Sequence, residues 1–239
     1  MTNWRRWVAL VGVCGGIVAL AFVPTETRQG VDFTVSTYRL PLFVKIIDFV
    51  QRDTTYARLA PRIVPRNATA EAAALAALEW TRKNIRDAPP GFPIVDDHVS
   101  HIIIRGYGSE DQKADVFATL LTYAGVPAYW TWVGKEPPQL VLSLAWIDRR
   151  WRVFDVDNGI VFRTPTGALA AVEDLVSDPW VVQSVAANRV YYSRPYISFF
   201  EGFRPPTPPD LLRSEEQMVW PRAFYRVKRL VGLGRRDWQ

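Results

Sequence analysis

The pattern of apolar and polar positions separates an uncharged N-terminal run from a longer, mixed segment. The run extends from Trp7 to Val23, and Arg5 and Arg6 precede it. Basic residues ahead of an apolar run keep the N-terminus in the cytosol and send the following chain across the membrane. The run is at the short limit of the roughly 17–25 residues that a membrane span needs. It predicts a retained signal anchor over residues 1–23, with a cleaved signal peptide as the alternative.

This N-terminal segment also predicts a location. A retained anchor would place the chain in the inner (cytoplasmic) membrane as a single-pass protein, with residues 24–239 on the extracytoplasmic side. Cleavage would instead release a secreted or periplasmic protein. The membrane is therefore the first expected partner.

Residues 24–66 are predicted to form a linker followed by a helix. Residues 24–38 are interpreted as an extended linker. Residues 40–59 place apolar side chains at helical spacing, and we expect Pro61 to end that helix.

A second predicted helix begins the central part of the chain. Thr69 is placed to cap a helix that runs from Ala70 to about Arg86. The sequence Pro89-Pro90-Gly91 breaks it, and residues 92–108 are interpreted as a loop that contains a short apolar run.

The third predicted helix has the clearest boundaries. Ser109 and Gln112 form the pattern of a capping box, in which each side chain can bond a backbone N–H of the first turn. Glu110 and Asp111 follow Ser109, where the helix dipole stabilises negative charge by about 0.3–1 kcal/mol each. Gly125 is placed to end the helix in a left-handed conformation.

Three strands are predicted after this helix, over Ala128–Val133, Leu140–Ile147 and Trp151–Val156. Residues 148–150 form the turn between the last two. A helix followed by antiparallel strands predicts an α+β fold. Residues 166–239 are interpreted as a helical extension with a proline-rich connector over Phe203–Pro209.

Composition narrows the functional classes. The net charge is +5, and the basic residues are dispersed among acidic ones, so we expect no nucleic-acid partner. Cys14 is the only cysteine, and His98 and His101 are the only histidines. The two histidines are three residues apart and follow Asp96 and Asp97, but the segment comes after Pro93, is not expected to form a regular helix, and shows no obvious third ligand. We therefore treat them as weak metal candidates and expect neither a metal nor a cofactor.

An ordered set of segments resembles a known family. The segments are Trp80–Arg86, Arg105–Ala114, Leu120–Ala128 and Trp151–Asp155. They resemble the bacterial transglutaminase-like domains, which share the papain-type fold. The resemblance implies a core over residues 67–165 in which a helix that carries the nucleophile packs on an antiparallel sheet.

The resemblance also implies which positions should hold the catalytic triad. The cysteine position is occupied by Glu110, and the histidine position falls at about Leu140. Asp155 alone matches its family residue. No cysteine follows Cys14 and no histidine follows His101, so no shift in alignment restores a thiolate–imidazole pair.

The first functional hypothesis is therefore a degenerate member of the family with no catalytic residue. Such a pseudoenzyme would bind or scaffold an envelope protein, a peptide or a glycan, in the assembly of envelope polysaccharide or of the cell surface. This setting rests on location and fold. The residues that could line its cleft are Tyr107, Ser109, Glu110, Asp111, Trp130 and Asp155.

The second hypothesis is a hydrolase or lyase whose rebuilt site uses Glu110 and Asp155, because paired carboxylates can cleave glycosides.

Two smaller questions stay open in the sequence. Tyr129, Trp130 and Trp132 could form a floor for sugar stacking or belong to the core. The basic C-terminal run from Trp220 could lie on anionic lipid or pack on its own domain.

Overall fold

The computed structural model describes residues 3–32, 34–96, 98–186 and 188–231. The fold is α+β, as the sequence predicts. Its helices are α1 Asn3–Ala21, α2 Leu42–Ile63, α3 Ala70–Asn84, α4 Val99–Arg105, α5 Glu110–Tyr123, α6 Val172–Ser177, α7 Pro179–Ala186 and α8 Val219–Leu230. Its strands are β1 Pro24–Val31, β2 Thr34–Pro41, β3 Val95–Asp96, β4 Ala128–Val133, β5 Leu140–Ile147, β6 Arg150–Asp155, β7 Ile160–Val161, β8 Val190–Tyr191 and β9 Arg194–Pro195.

The chain divides into two compact units. Unit 1 contains residues 1–52 and 93–97, and unit 2 contains residues 53–92 and 98–239. Helix α2 carries the chain from the first unit into the second.

Unit 1 contains a β-hairpin where the sequence predicts a linker. Strands β1 and β2 pair antiparallel from Pro24 opposite Pro41 to Val31 opposite Thr34, and β3 adds to the free edge of β1. The linker prediction for residues 24–38 is therefore wrong. Exposed and more buried side chains alternate along β1, which is the period of a strand. That alternation involves Thr, Arg and Gln rather than apolar residues, so hydrophobic periodicity did not detect it.

Helix α1 contains most of the apolar run that the sequence assigns to a signal anchor. Side chains along it are exposed, including Val11 at 68% and Ile17 at 61%. Within the part of the chain that the structure describes, no helix has both the length and the apolar character of a membrane span. The anchor accordingly rests on the sequence pattern.

Helix α2 extends past the position where the sequence predicts its end. Pro61 lies inside its last turn, and the Val64 N–H still donates to the Ala60 carbonyl at 2.9 Å. A proline lacks the N–H that an interior position needs. Because Pro61 lies near the C-terminal end of α2, its missing N–H removes one backbone hydrogen bond, and the final turn still forms.

The core of unit 2 is a four-stranded antiparallel sheet in the order β4-β5-β6-β7. The three predicted strands agree with β4, β5 and β6 to within one residue. Asp148 and Arg149 have positive φ angles of 51° and 62°, which suits a two-residue hairpin turn. Helix α5 packs on the sheet, with the Phe117 and Phe154 rings 5.5 Å apart.

Helix α3 is capped as predicted and packs in the same core. The Thr69 hydroxyl accepts from the Ala72 N–H at 3.2 Å. Its buried side chains are mostly small, which permits a close approach. They are Ala73, Ala74, Ala77, Leu78 and Thr81.

The segment predicted as a loop over residues 92–108 contains helix α4. Val99 and Ile102 are buried, the Ser100 N–H donates to the Tyr56 hydroxyl at 2.7 Å, and Gly106 ends the helix at φ 72°. Consecutive isoleucines favour strands more than helices. Packing of Ile102 in the core overrides that local preference.

Candidate functional site

The N-terminus of α5 is the position that the family resemblance marks as the nucleophile. The Gln112 side chain accepts from the Ser109 N–H at 3.2 Å, and the Ser109 hydroxyl donates to Asp111. Gly108 makes this close packing possible, because a Cβ there would lie 2.9 Å from Oε1 of Gln112. Glu110 is the first residue of the helix.

Two tyrosine hydroxyls hold the Glu110 carboxylate. Tyr191 donates to Oε2 of Glu110, and Tyr192 donates to the same oxygen at 3.2 Å. The Tyr191 hydroxyl also lies 3.3 Å from Oδ2 of Asp157. The structure therefore groups Glu110 with Asp157 around one tyrosine.

An uncommon turn presents these tyrosines. Strands β8 and β9 form a short hairpin, and its turn residues Tyr192 and Ser193 have φ angles of 47° and 59°. Two-residue turns of this hand usually contain Asn and Gly, and a bulky residue at positive φ is strained. The hairpin retains this strained conformation, and from it the Tyr192 hydroxyl reaches Glu110.

Burial dominates the electrostatics of Glu110. Desolvation raises the pKa of this carboxyl, and the charge of Asp157 raises it further, whereas the hydrogen bonds from Tyr191 and Tyr192 oppose the shift. Burial and the neighbouring carboxylates raise the pKa of Tyr191, and they raise the pKa of Tyr192 to about 12. Both tyrosines are therefore protonated donors at neutral pH.

Lys113 supplies the positive charge of the cluster. Its Nζ donates to Oδ1 of Asp157 at 2.6 Å and to Asp87. Only 8% of the Lys113 side chain is exposed, against 20% of Asp157 and 89% of Asp87. Burial lowers the pKa of Lys113, but the bonds to both aspartates outweigh it, so the pKa is raised overall. Lys113 stays charged and balances Asp157.

Asp155, two residues before Asp157, is sealed from solvent. It is fully buried, its Oδ1 accepts from the Asn158 N–H at 2.9 Å, and its Oδ2 accepts from the Tyr196 hydroxyl at 2.7 Å. Burial raises the pKa of the Asp155 carboxyl against these hydrogen bonds. In the described residues, Asp155 and Glu110 share no hydrogen-bond partner. Asp157 is the carboxylate whose charge acts on both.

Leu140 belongs to the hydrophobic core. It begins β5 opposite Val133, and it is fully buried in the cluster that contains Tyr196 and Phe199. The histidine position implied by the resemblance thus holds a side chain that packs and cannot transfer a proton.

Two further cleft candidates have contacts of their own. The Tyr107 ring packs edge-on against Phe92 at 5.6 Å and beneath the Arg105 guanidinium at 5.0 Å. The Trp130 indole donates to Asp115 at 3.3 Å. Ser109 and Asp111 are the candidates that adjoin Glu110 directly.

The Trp130 partner is a second buried acid that the sequence analysis did not identify. Asp115 is 3% exposed and also accepts from Arg213 Nε at 2.8 Å. Burial raises the pKa of its carboxyl, opposed by Arg213 and Trp130. Asp115 thus links α5 to β4 through Trp130, and to the C-terminal segment through Arg213, whose side chain is 53% exposed.

The aromatic residues of β4 are divided between core and surface. Tyr129 is buried and meets the Trp151 ring at 4.8 Å. Trp132 is 45% exposed and lines a separate cavity of about 180 Å³. Other residues around that cavity include Lys135, Glu201, Phe203 and Arg204.

The two histidines lie at the start of α4. His98 precedes the first turn, and its ring centroid is 6.0 Å from that of His101. Asp97 lies outside the described residues. Among the residues that the structure describes, no three His, Cys, Asp or Glu side chains are grouped so that they could hold a metal.

Sequence reasoning missed most of the residues around Glu110. The sequence could have pointed to Lys113, because it is a charged residue one turn into a helix whose neighbouring positions are buried, and a buried charge needs a partner. Asp157 lies two residues beyond Asp155 and was overlooked. Tyr191 and Tyr192 are some 80 residues from Glu110 and gave no local signal.

Comparisons with known proteins give two solved structures with a partly similar backbone. No protein-family model matches the chain, and no curated protein matches its sequence. A protease candidate from Parabacteroides distasonis has a similar backbone over 55% of this chain and 35% of its own, at 10% identity and a TM-score of 0.36. A cysteine-protease candidate from Cytophaga hutchinsonii is similar over 57% of this chain and 53% of its own, at 18% identity and a TM-score of 0.38. The chain thus spans about a third and about half of these proteins.

Proposed function

We propose that this chain is a transglutaminase-like pseudoenzyme of papain-type fold that acts by binding. The proposal rests mainly on one observation: Asp155, the retained triad position, is fully buried and bonded to Tyr196 and Asn158. A triad aspartate must face an imidazole that shuttles protons. Here the tyrosine hydroxyl occupies that hydrogen bond.

The chemistry of the other positions supports the same proposal. Acyl transfer needs a nucleophile and a group that moves the proton. The Glu110 carboxylate is a far weaker nucleophile than a thiolate, and it already accepts two tyrosine hydrogen bonds. Leu140 cannot exchange a proton.

A binding role is consistent with the rim of the cluster. Tyr192 is 55% exposed, and the side chain of Asp87 is 89% exposed. The four carboxylates Glu110, Asp111, Asp157 and Asp87 outnumber Lys113. This favours an envelope protein or peptide segment with basic side chains over a neutral glycan. We further propose that residues 1–23 anchor the chain in the inner membrane, on the strength of the sequence pattern.

The activity test uses the full chain and two probes. One is a glutamine-containing peptide with a fluorescent primary amine, and the other is a nitrophenyl glycoside. We expect no turnover of either probe by the wild type. Turnover that Glu110→Gln abolishes, with the melting temperature unchanged, would refute the pseudoenzyme proposal.

The binding test places a photoreactive benzophenone amino acid at Tyr192 in the host cell. Trp180 is the matched control, because it is a similarly exposed aromatic residue at 47%. We expect a discrete crosslinked adduct at position 192 that is missing at position 180. Equal crosslinking at the two positions would contradict a binding role for this rim.

A carboxylate hydrolase is the second candidate. The observation that favours it is the grouping of Glu110 and Asp157 around the Tyr191 hydroxyl, where burial raises the pKa of the Glu110 carboxyl. A carboxyl with a raised pKa near a second carboxylate is the kind of pair that cleaves glycosides. The site would use Asp157 and not Asp155, which is sealed. Loss of glycoside hydrolysis in both Glu110→Gln and Asp157→Asn, with normal activity in Asp87→Asn, would establish this candidate.

A further inference from the structure

Helix α8 has an apolar stripe that none of the described residues covers. Its side chains recur at spacings of four, three and four residues, which places them on one face of a helix. They are Trp220 at 82% exposure, Phe224 at 73%, Val227 at 58% and Val231 at 63%, with Leu230 at 86% beside them. Soluble proteins seldom leave such a continuous apolar surface in water.

The opposite side of α8 is basic. Val219–Leu230 contains Arg222, Arg226, Lys228 and Arg229 and no acidic residue. The combination of an apolar stripe with a cationic face is typical of helices that lie in the interface of a bilayer. Trp220 adds an aromatic ring of the kind that is enriched at the headgroup level.

The orientation of α8 settles whether the stripe packs on its own unit. The half-buried side chains of the helix are Pro221, Arg222 and Tyr225, together with Val219 at its start. No residue of the helix is buried. The side that turns towards the rest of unit 2 is therefore the polar one, and the apolar stripe turns away from it.

The length and charge of α8 determine which occupant fits. Twelve residues make a helix about 18 Å long, too short for the roughly 30 Å hydrocarbon core. The helix can lie on a membrane but cannot span it. Four cations disfavour a second copy of the same helix, because like charges would face each other, and they attract anionic headgroups.

We propose that α8 is an interfacial helix that binds an anionic lipid surface through Trp220, Phe224 and Val227. This second membrane contact goes beyond the proposed binding function and is independent of it. The apolar stripe enters the acyl boundary while Arg226 and Lys228 reach the headgroups.

The test reports on α8 alone, so that binding through α1 cannot imitate it. The full chain carries Cys14→Ser, which removes the only cysteine, and then Val227→Cys with an environment-sensitive nitrobenzoxadiazole label. The vesicles are phosphatidylcholine with phosphatidylglycerol, or phosphatidylcholine alone. A second label at Arg229→Cys, on the side of the helix opposite Trp220, marks the basic side.

We expect the label at position 227 to shift to the blue with anionic vesicles, less with neutral ones, and less at high salt. The label at position 229 should keep an emission closer to its value in water. Each basic residue near an anionic surface contributes about fivefold to affinity. Reversing both Arg226 and Lys228 to Glu should therefore weaken binding at least twentyfold, about fivefold for each.

The matched control reverses Lys83 and Arg149, which are exposed elsewhere in unit 2 and change the net charge equally. Melting curves establish that both double variants fold. An emission of the label at position 227 that does not change when anionic vesicles are added would overturn the proposal. So would a blue shift that grows with protein concentration without lipid, because a second copy would then cover the stripe.

Discussion

The hydrogen bond from Tyr196 to Asp155 gives the sharpest test of the sealed site. In Tyr196→Phe the ring remains and only the hydroxyl, 2.7 Å from Oδ2 of Asp155, is lost. Hydrogen bonds to charged groups contribute about 1.5–3 kcal/mol. For a chain of this size each kcal/mol lowers the melting temperature by about 2–4 °C, so we expect a fall of about 3–12 °C.

The pH dependence of this loss identifies its cause. Burial raises the pKa of Asp155 above 3.8 in the folded state. Protonation of Asp155 therefore stabilises the fold at acid pH, and this stabilisation is lost as the pH rises through the folded pKa. The Tyr196 hydroxyl opposes that shift by stabilising the carboxylate. Its removal raises the pKa further, and the destabilisation by Tyr196→Phe should therefore grow as the pH rises from acid to neutral.

Tyr129→Phe is the matched control. The Tyr129 hydroxyl is buried without a hydrogen-bond partner among the described residues, so its removal should leave the melting temperature unchanged or raise it. Thermal unfolding of the full chain, followed by tryptophan fluorescence across the pH range, measures both variants. An equal loss in the two variants, or a loss in Tyr196→Phe that does not depend on pH, would refute the reasoning.

Three further changes test the surroundings of the site. Lys113→Met leaves Asp157 without its 2.6 Å partner and should cost about 3 kcal/mol in denaturant unfolding. Glu71→Ala, at the Arg163 pair whose side chains are 42% and 43% exposed, should cost below about 1 kcal/mol, and similar costs would contradict a buried ion pair. Ser214→Ala removes the link between Thr122 and the Ala128 carbonyl, at 2.8 and 2.9 Å, and should lower stability by about 1–2 kcal/mol in the same assay; no change would show that the link is not needed. A thiol-alkylating reagent should add one adduct, at the exposed Cys14, and leave the melting temperature of unit 2 unchanged. A shift in that temperature would count against a site that works without a cysteine.

Several elements were predictable because their signals are local. The start of α5 follows from Ser109 and Gln112, which bond within the first turn. Strands β4 to β6 follow from apolar runs separated by turn residues. By contrast, β1 contains mainly polar side chains and α4 contains β-branched ones, so propensity indicated the wrong structure for each.

The sequence alone determined that this chain contains no pair of cysteine and histidine after residue 101, since that is a matter of composition. It also placed Glu110 at a helix start, where the capping pattern is local. Only the tertiary structure determined that Asp157, Tyr191 and Tyr192 surround Glu110, and that Tyr196 seals Asp155. These partners lie 34 to 82 residues apart along the chain, and packing of the whole sheet and its C-terminal extension brings them together, which no local pattern encodes.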